Sequence, residues 1–185
     1  MSLKLTVLIP AIPSRWEKFQ KIYNKLDKQA TKDVEVLGLI DNKKRSIGAK
    51  RDALKILVNG EYMCFVDDDD DVSDDFIKEI LKGMKGNPDV IVFKQRAIIG
   101  DMKGIIDFDL KNHNEQFTPN KVTKRKPFIC CAWKSSLGKR VKFPDLMYGE
   151  DSGWLKPLWQ RAKTQYKIDK ILHTYIFDPK ITEAK

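Results

Sequence analysis

The stretch GEYMCFVDDDDDVSDDF, Gly60 to Phe76, runs an apolar segment, Tyr62 to Val66, straight into five consecutive aspartates. Like charges stacked at the end of a buried strand repel one another, and that costs free energy unless something positive sits against them. Three arrangements compete. A solvated acidic loop is the plainest, but it explains neither the apolar run before it nor the density of charge. A calcium loop of the EF-hand kind is excluded. Counted from Asp67, its sixth position is Val72 where glycine is needed, and its twelfth is Lys78 where glutamate is needed. Counted from Asp68, Val72 falls at a ligand position. The third arrangement is a metal site at a strand's carboxyl end. Residues two apart in extended chain point the same way, so Asp67 and Asp69 are expected to share one face and one divalent cation. Hard carboxylate oxygens suit Mn²⁺ or Mg²⁺, which keep positions open for water and phosphate.

The segments around this stretch alternate. Leu5 to Ile9 is a β-branched run closed by Pro10, a buried strand. Arg15 to Gln29 places Trp16, Phe19, Ile22, Tyr23 and Leu26 at helical spacing. Val34 to Ile40 reads as a second strand, ending at Asp41. Ser46 can cap a helix to about Val58, with Ile47, Leu54, Leu57 and Val58 inward. Tyr62 to Val66 is a third strand, Asp74 to Met84 a helix capped by Ser73 or Asp74, and Val90 to Phe93 a fourth strand. This alternation predicts an α/β fold with a mostly parallel sheet and helices on its faces. Ligands in such sheets bind beyond the carboxyl ends of the strands, where Asp41 and the aspartate run sit. The second half is less regular. Gln95 to Asp109 reads as a hairpin, Lys111 to Pro127 as a polar flexible loop, and Phe128 to Trp133 as a strand. YGEDSGWLKPLWQRAK reads as a loop leading into a helix, and KILHTYIF as a last strand. No linker interrupts the chain, so one domain is expected over 1–185, with a regular half to residue 94 and a less regular half, 95–185.

The 185 residues are 42% hydrophobic, enough for a core. No apolar run approaches the length of a membrane span, and the opening stretch is too soon broken by proline for a signal peptide. No membrane insertion is therefore expected. Three cysteines, two of them adjacent, make no disulfide framework, which points to a reducing, cytoplasmic location. The net charge is +9, yet seven of the 26 acids lie in Asp67 to Asp75, so 35 bases face only 19 acids elsewhere, an excess of +16. The bases cluster in NKKRSIGAKR, KVTKRK and KSSLGKRVK. Such clusters form an ordinary lysine-rich surface or meet a polyanion.

The chain resembles glycosyltransferase family 2, nucleotide-sugar enzymes of the GT-A fold, in five segments taken in order. LTVLIPAIPSRW is similar to the opening strand and loop, Pro10 included. VLGLIDN places Asp41 where the family contacts the donor's base. SIGAKRDALKILVNGEYMCFVDDDDDVSDDF is similar to the glycine-then-arginine helix, with Gly48 and Arg51, and to the DxD strand end. AWKSSLGKRVKFPDLMYGED ends in the acid pair Glu150 and Asp151, and HTYIF resembles the closing strand. Three departures stand out: Asp52 where asparagine is usual, an unusual first loop, and no QxxRW motif, which argues against a processive synthase.

The resemblance implies a Rossmann-like, mostly parallel sheet with a small mixed or antiparallel C-terminal part, residues 1–94 forming the nucleotide-sugar-binding half and 95–185 the acceptor-side half of a single GT-A-like catalytic domain. It implies a metal-dependent, inverting transfer of sugar from a nucleotide-diphosphate sugar to an acceptor hydroxyl, with Mn²⁺ or Mg²⁺ as cofactor. Asp67 and Asp69 would form the DxD pair, with Asp68 beside them in the donor site and His173 a candidate third ligand. Asp151 is the candidate general base and Glu150 an orienting group. The acceptor is a glycan or small molecule, a lipid carrier or a protein. The excess positive charge adds a further alternative, hydroxylated bases of DNA, held by salt-sensitive phosphate contacts and flipped from the stack. Two other classes stand against this one: a nucleotidyl- or phosphoryltransferase, which no glycine-rich phosphate loop supports, and a non-catalytic nucleotide-sugar-binding module. Trp133, Trp154 and Trp159 are candidates for stacking on a sugar or for core packing.

Overall fold

The computed structural model describes residues 3–178; Met1 and Ser2 of the opening stretch and the last seven residues of the expected domain lie outside it. The first strand, β1 (Leu5–Ala11), is buried along its whole length. It extends through Pro10 because Pro10 needs no ladder donor in its place between β2 and the shorter β3. A 3₁₀ turn, Pro13–Arg15, leads into α1 (Trp16–Asp27), which buries Phe19, Ile22 and Leu26 and leaves Trp16 exposed. Then follow β2 (Val34–Ile40), α2 (Ile47–Ile56) and β3 (Tyr62–Phe65). The strands β2, β1 and β3 are parallel neighbours, so their carboxyl ends meet along one edge. Ser46 caps α2 as its sequence predicts, its Oγ accepting from the Ala49 amide at 3.0 Å. The buried face of α2 differs from expectation: it carries Gly48, Lys50, Arg51, Leu54 and Lys55, while Leu57 is exposed.

After β3 the chain does not stay extended. Asp70 N–H donates to the Asp67 carbonyl at 3.1 Å, closing a turn over Asp67–Asp70. The two-residue β4 (Asp71–Val72) and α3 (Phe76–Gly83) follow; neither Ser73 nor Asp74 caps α3 through its side chain. Next is β5 (Val90–Ile99), longer than its apolar run because it continues into the expected hairpin with β6 (Met102–Phe108). Gly100 turns that hairpin at φ 56°, a conformation glycine adopts freely. The polar segment after it is not one flexible loop: it contains β7 (Val122–Arg125), parallel to β6. Of the strand expected at 128–133 only Ala132 to Lys134, β8, pairs; it runs antiparallel between β3 and β5. A short helix α4 (Ser135–Gly138), α5 (Glu150–Arg161) and β9 (Gln165–Phe177) complete the order. Among the described residues the sheet runs β2-β1-β3-β8-β5-β6-β7, with β9 parallel to β5 and antiparallel to β4. The fold is the expected α/β one, a largely parallel N-terminal half and a mixed C-terminal part.

Aromatic packing fixes α5 against the sheet. Trp154 stacks on Phe143 (4.7 Å between centroids, 10°) and meets Phe65 of β3 edge-on (6.0 Å, 86°), and its indole N–H donates to the Gly138 carbonyl at 3.1 Å. Trp133 and Trp154 are core residues, while Trp159 is partly buried at a cleft. The three cysteines are buried and free. No helix among the described residues is long and apolar enough to cross a membrane.

Candidate active site

The question raised by the aspartates has two answers, Arg15 and Arg51. Parallel pairing of β1 with β3 puts the loop after β1 beside the aspartate turn, and that loop carries Arg15. Its Nη1 lies 2.8 Å from Asp68 Oδ1 and 2.5 Å from Asp69 Oδ2, and the Ile12 amide donates to Asp68 Oδ2 at 3.2 Å. From the other side α2 presents Arg51. One guanidinium nitrogen donates to both oxygens of Asp67 (2.7 and 2.9 Å), the other to Glu150 Oε1 at 2.5 Å. Arg51 is thus engaged by two carboxylates, tying the turn to the first residue of α5, and is not a free phosphate anchor.

The remaining expected residues fall in different places. Pro10 lines the smaller of the two pockets described below. Asp41, at the end of β2, pairs with buried Lys50 at 2.8 Å, and Lys50 also donates to the Ala11 carbonyl at 2.6 Å. Gly48 lines neither cleft. A Cβ there would come within 1.9 Å of the Pro144 carbonyl oxygen, so glycine is needed for α2 to lie against the loop before α5. Asp151 stands in the first turn of α5, with Gly149 at φ 79° in the capping position. It is therefore not the helix cap, and its side chain lines the larger cleft. His173, on β9, is buried. Its Nδ1 lies 3.0 Å from Gln95 Nε2 and its Nε2 3.4 Å from Asp70 Oδ2.

Two clefts meet at this edge. A pocket of 290 Å³ lies between the loop after β1, the start of α2 and the aspartate turn, with Lys43, Arg45 and Lys50 on its wall. A second, of 840 Å³, lies over β5, β6 and β9 and reaches Glu150 and Asp151. Arg51, Asp67, Met147, Tyr148 and Tyr175 line both, so the two volumes adjoin at the aspartates.

Burial raises the aspartate turn's proton affinity. It pushes the Asp68 carboxyl up to about 7 against the pull of Arg15, and it raises Asp69 and, strongly, Asp70, where neighbouring carboxylates add to the effect. Burial also lowers His173 to about 4, so its imidazole is neutral and available as a ligand. Surplus negative charge, Asp69 Oδ2 held only by Arg15, and a His173 Nε2 without a hydrogen bond suit a divalent cation. Ligation through that Nε2 needs Nδ1 to donate and Gln95 to turn its amide oxygen toward it. Because the turn is not extended, Asp67 and Asp69 do not share a strand face. Among the described residues no three acidic, histidine or cysteine side chains converge as a ready cage.

Sequence reasoning missed Arg15, Asp70, Gln95, Tyr148 and Tyr175, and it had Lys50 only as one base of the cluster from Lys43 to Arg51, not as the partner of Asp41. A signal existed for Lys50: three bases, Lys50, Arg51 and Lys55, share a helix face with Leu54, and bases on an apolar face need acids opposite. The basic clusters do not form one surface. Arg125 and Lys126 lie on the larger cleft, whereas Lys134 and Lys139 sit at the opposite end of β3, beside Tyr62 and the Val58 carbonyl.

The family model described as "Glycosyl transferase family 2" matches residues 15–145. No curated protein matches the chain. Among solved structures, S. aureus TarS 1–349 superposes with TM-score 0.70 at 17% identity, covering 94% of this chain and 60% of that one. The same protein in complex with UDP-GlcNAc gives TM-score 0.72 at 16% identity, covering 99% and 62%, and in complex with UDP 0.72 at 17%, covering 96% and 61%. The chain therefore spans about 60% of the length of these structures, and the likeness is one of fold.

Proposed function

The chain belongs to glycosyl transferase family 2, and from that premise we propose that it transfers a sugar from a nucleotide-diphosphate sugar to an acceptor hydroxyl, with inversion and with a divalent cation. One observation carries the reading: a basic pocket and a larger cleft adjoin at Asp67, with Asp151 on the far side. In this reading the nucleotide lies in the 290 Å³ pocket near Asp41, its diphosphate close to Lys43, Arg45 and the start of α2. Asp67 and Asp69 would hold Mn²⁺ or Mg²⁺, with His173 as a further candidate; a cation there neutralises charge on a leaving diphosphate. Arg51 keeps Asp67 and Glu150 in fixed relation. Asp151 takes the proton from the acceptor hydroxyl as that oxygen attacks the anomeric carbon. The anomeric C–O bond to the diphosphate breaks and its electron pair leaves with the diphosphate. Calorimetric titration with UDP and other nucleoside diphosphates, first with Mn²⁺ and then with chelator, tests the donor side. Metal-dependent binding of one of them is expected. No binding of any, by folded protein with metal present, would remove the reading.

A further inference from the structure

Resting on that reading, the larger cleft also carries information about what it accepts. The strand register builds its floor. Gln95, Ala97 and Ile99 of β5 stand opposite His173, Tyr175 and Phe177 of β9, and residues directly opposite share a face. On the other side Gln95 pairs with Ile106 and Ala97 with Gly104 of β6, and Phe108 of β6 pairs with Arg125 of β7. The middle of this face is apolar. At Gly104 an added Cβ would lie 2.8 Å from the Phe117 ring, so the missing side chain lets the segment between β6 and β7 fold down as a wall.

The two ends differ in charge. Near Tyr175 stand Asp67, Glu150 and Asp151. At the other end stand Arg125 and Lys126. Arg125 Nε donates to the Glu115 carbonyl at 3.0 Å and Lys126 Nζ to the Leu110 carbonyl at 3.0 Å, so backbone oxygens hold both cations in place. Among the described residues neither forms an ion pair with an acid. The nearby Glu115 carboxylate accepts instead from the Lys124 amide at 2.7 Å. Tyr175 and Arg125 lie three strands apart, about 14 Å across the sheet at roughly 4.8 Å per step, and Arg125 is set four residues further along, opposite Phe108 where Tyr175's row reaches Gly104, so the two ends are about 19 Å apart. An 840 Å³ cleft of this kind holds a drug-sized ligand with an apolar body and a few fixed polar contacts.

We propose that the acceptor is an amphipathic anion: a hydroxyl-bearing molecule whose apolar body lies on the β5–β6 floor and whose phosphate or carboxylate seats between Arg125 and Lys126. The hydroxyl then lies at the other end, before Asp151. A neutral glycan leaves both cations unmatched and the apolar floor unused.

The test is calorimetric titration without donor, using octyl phosphate, octanoate, octanol and inorganic phosphate, each below its aggregation concentration. Octyl phosphate or octanoate is expected to bind at least tenfold more tightly than octanol and than inorganic phosphate, and which of the two binds better identifies the anion. In Arg125→Gln/Lys126→Gln, folded by circular dichroism and melting temperature, that advantage over octanol is expected to disappear. Equal affinity for octanol and the anions, or an advantage that survives the double substitution, overturns the proposal. UDP with Mn²⁺ is titrated into the same wild-type preparation. Anion binding without UDP binding leaves the cleft's ligand class standing and removes the donor reading; UDP binding without anion preference does the reverse.

Discussion

At the scale of single residues, the site is organised by arginines more than by its aspartates. Asp67 has its position because Arg51 is buried between two acids, and Asp68 and Asp69 because Arg15 reaches across from the neighbouring loop. Removing one partner of a buried ion pair leaves the others desolvated and unpaired. Arg51→Met is expected to destabilise the protein by about 3–5 kcal/mol, read by denaturant unfolding; a loss below about 1 kcal/mol would show that solvent already screens the pair. Asp151 makes no ion pair among the described residues and faces the large cleft, as a general base must. Asp151→Asn is expected to lower turnover by about 10²- to 10⁴-fold while donor affinity in calorimetry stays the same. Full turnover in that variant would strip Asp151 of the role.

At the scale of elements, two junctions hold the site in register. The first is α2 against the loop at Pro144, a contact only glycine permits at position 48. Gly48→Ala is expected to cost about 1–3 kcal/mol of stability, as overpacking does. It should also lower activity, because the displaced loop runs through Tyr148 to Glu150. A melting temperature equal to wild type would mean that the loop gives way freely. The second junction is the start of β9. Asp89 accepts from the Lys163 and Thr164 amides at 2.7 and 3.0 Å, aligning β9 with β5. Burial works against the Asp89 charge, but these amides overrule it and hold the carboxyl below its usual value. A lowered folded-state value contributes stability above the unfolded value near 4, and that stability is lost as pH falls through the folded one. Asp89→Asn should therefore be less stable than wild type at pH 7, by about 1–2 kcal/mol, with the gap narrowing as pH falls below the unfolded value. A gap constant with pH would assign the loss to packing.

At the scale of the whole molecule, the parallel half supplies one wall of the site and the mixed half the other. The aspartate turn lies between them, touched by β9 through the Ile176 amide to Asp70 at 3.0 Å and by α5 through Arg51. A ligand bound at this junction binds only the folded chain. UDP with Mn²⁺ at about one hundred times its dissociation constant should add about 2.7 kcal/mol, or roughly 5–10 °C in melting temperature for a chain of this size. Chelator should erase the shift. A shift that persists in chelator would show that nucleotide binding does not need the cation.

The alternation of apolar runs with helical spacing was readable from residues alone because period and β-branching are local properties, and so the order of elements through β5 was legible except for the two-residue β4. Asp67 and Asp69 stood out because carboxylates stacked at the end of a predicted buried strand are unusual, whereas Glu150 and Asp151 were singled out by the family resemblance. What opposes them was not. Arg15 and Asp68 are 53 residues apart, and Arg51 and Glu150 are 99 apart; no local pattern links them until β1 pairs with β3 and Trp154 seats α5. The same holds for β7, whose polar residues read as loop because only pairing with β6 satisfies that backbone. Local chemistry determined which residues were candidates, and long-range pairing decided which charges face each other, because a carboxylate's partner is set by distance in space and not along the chain.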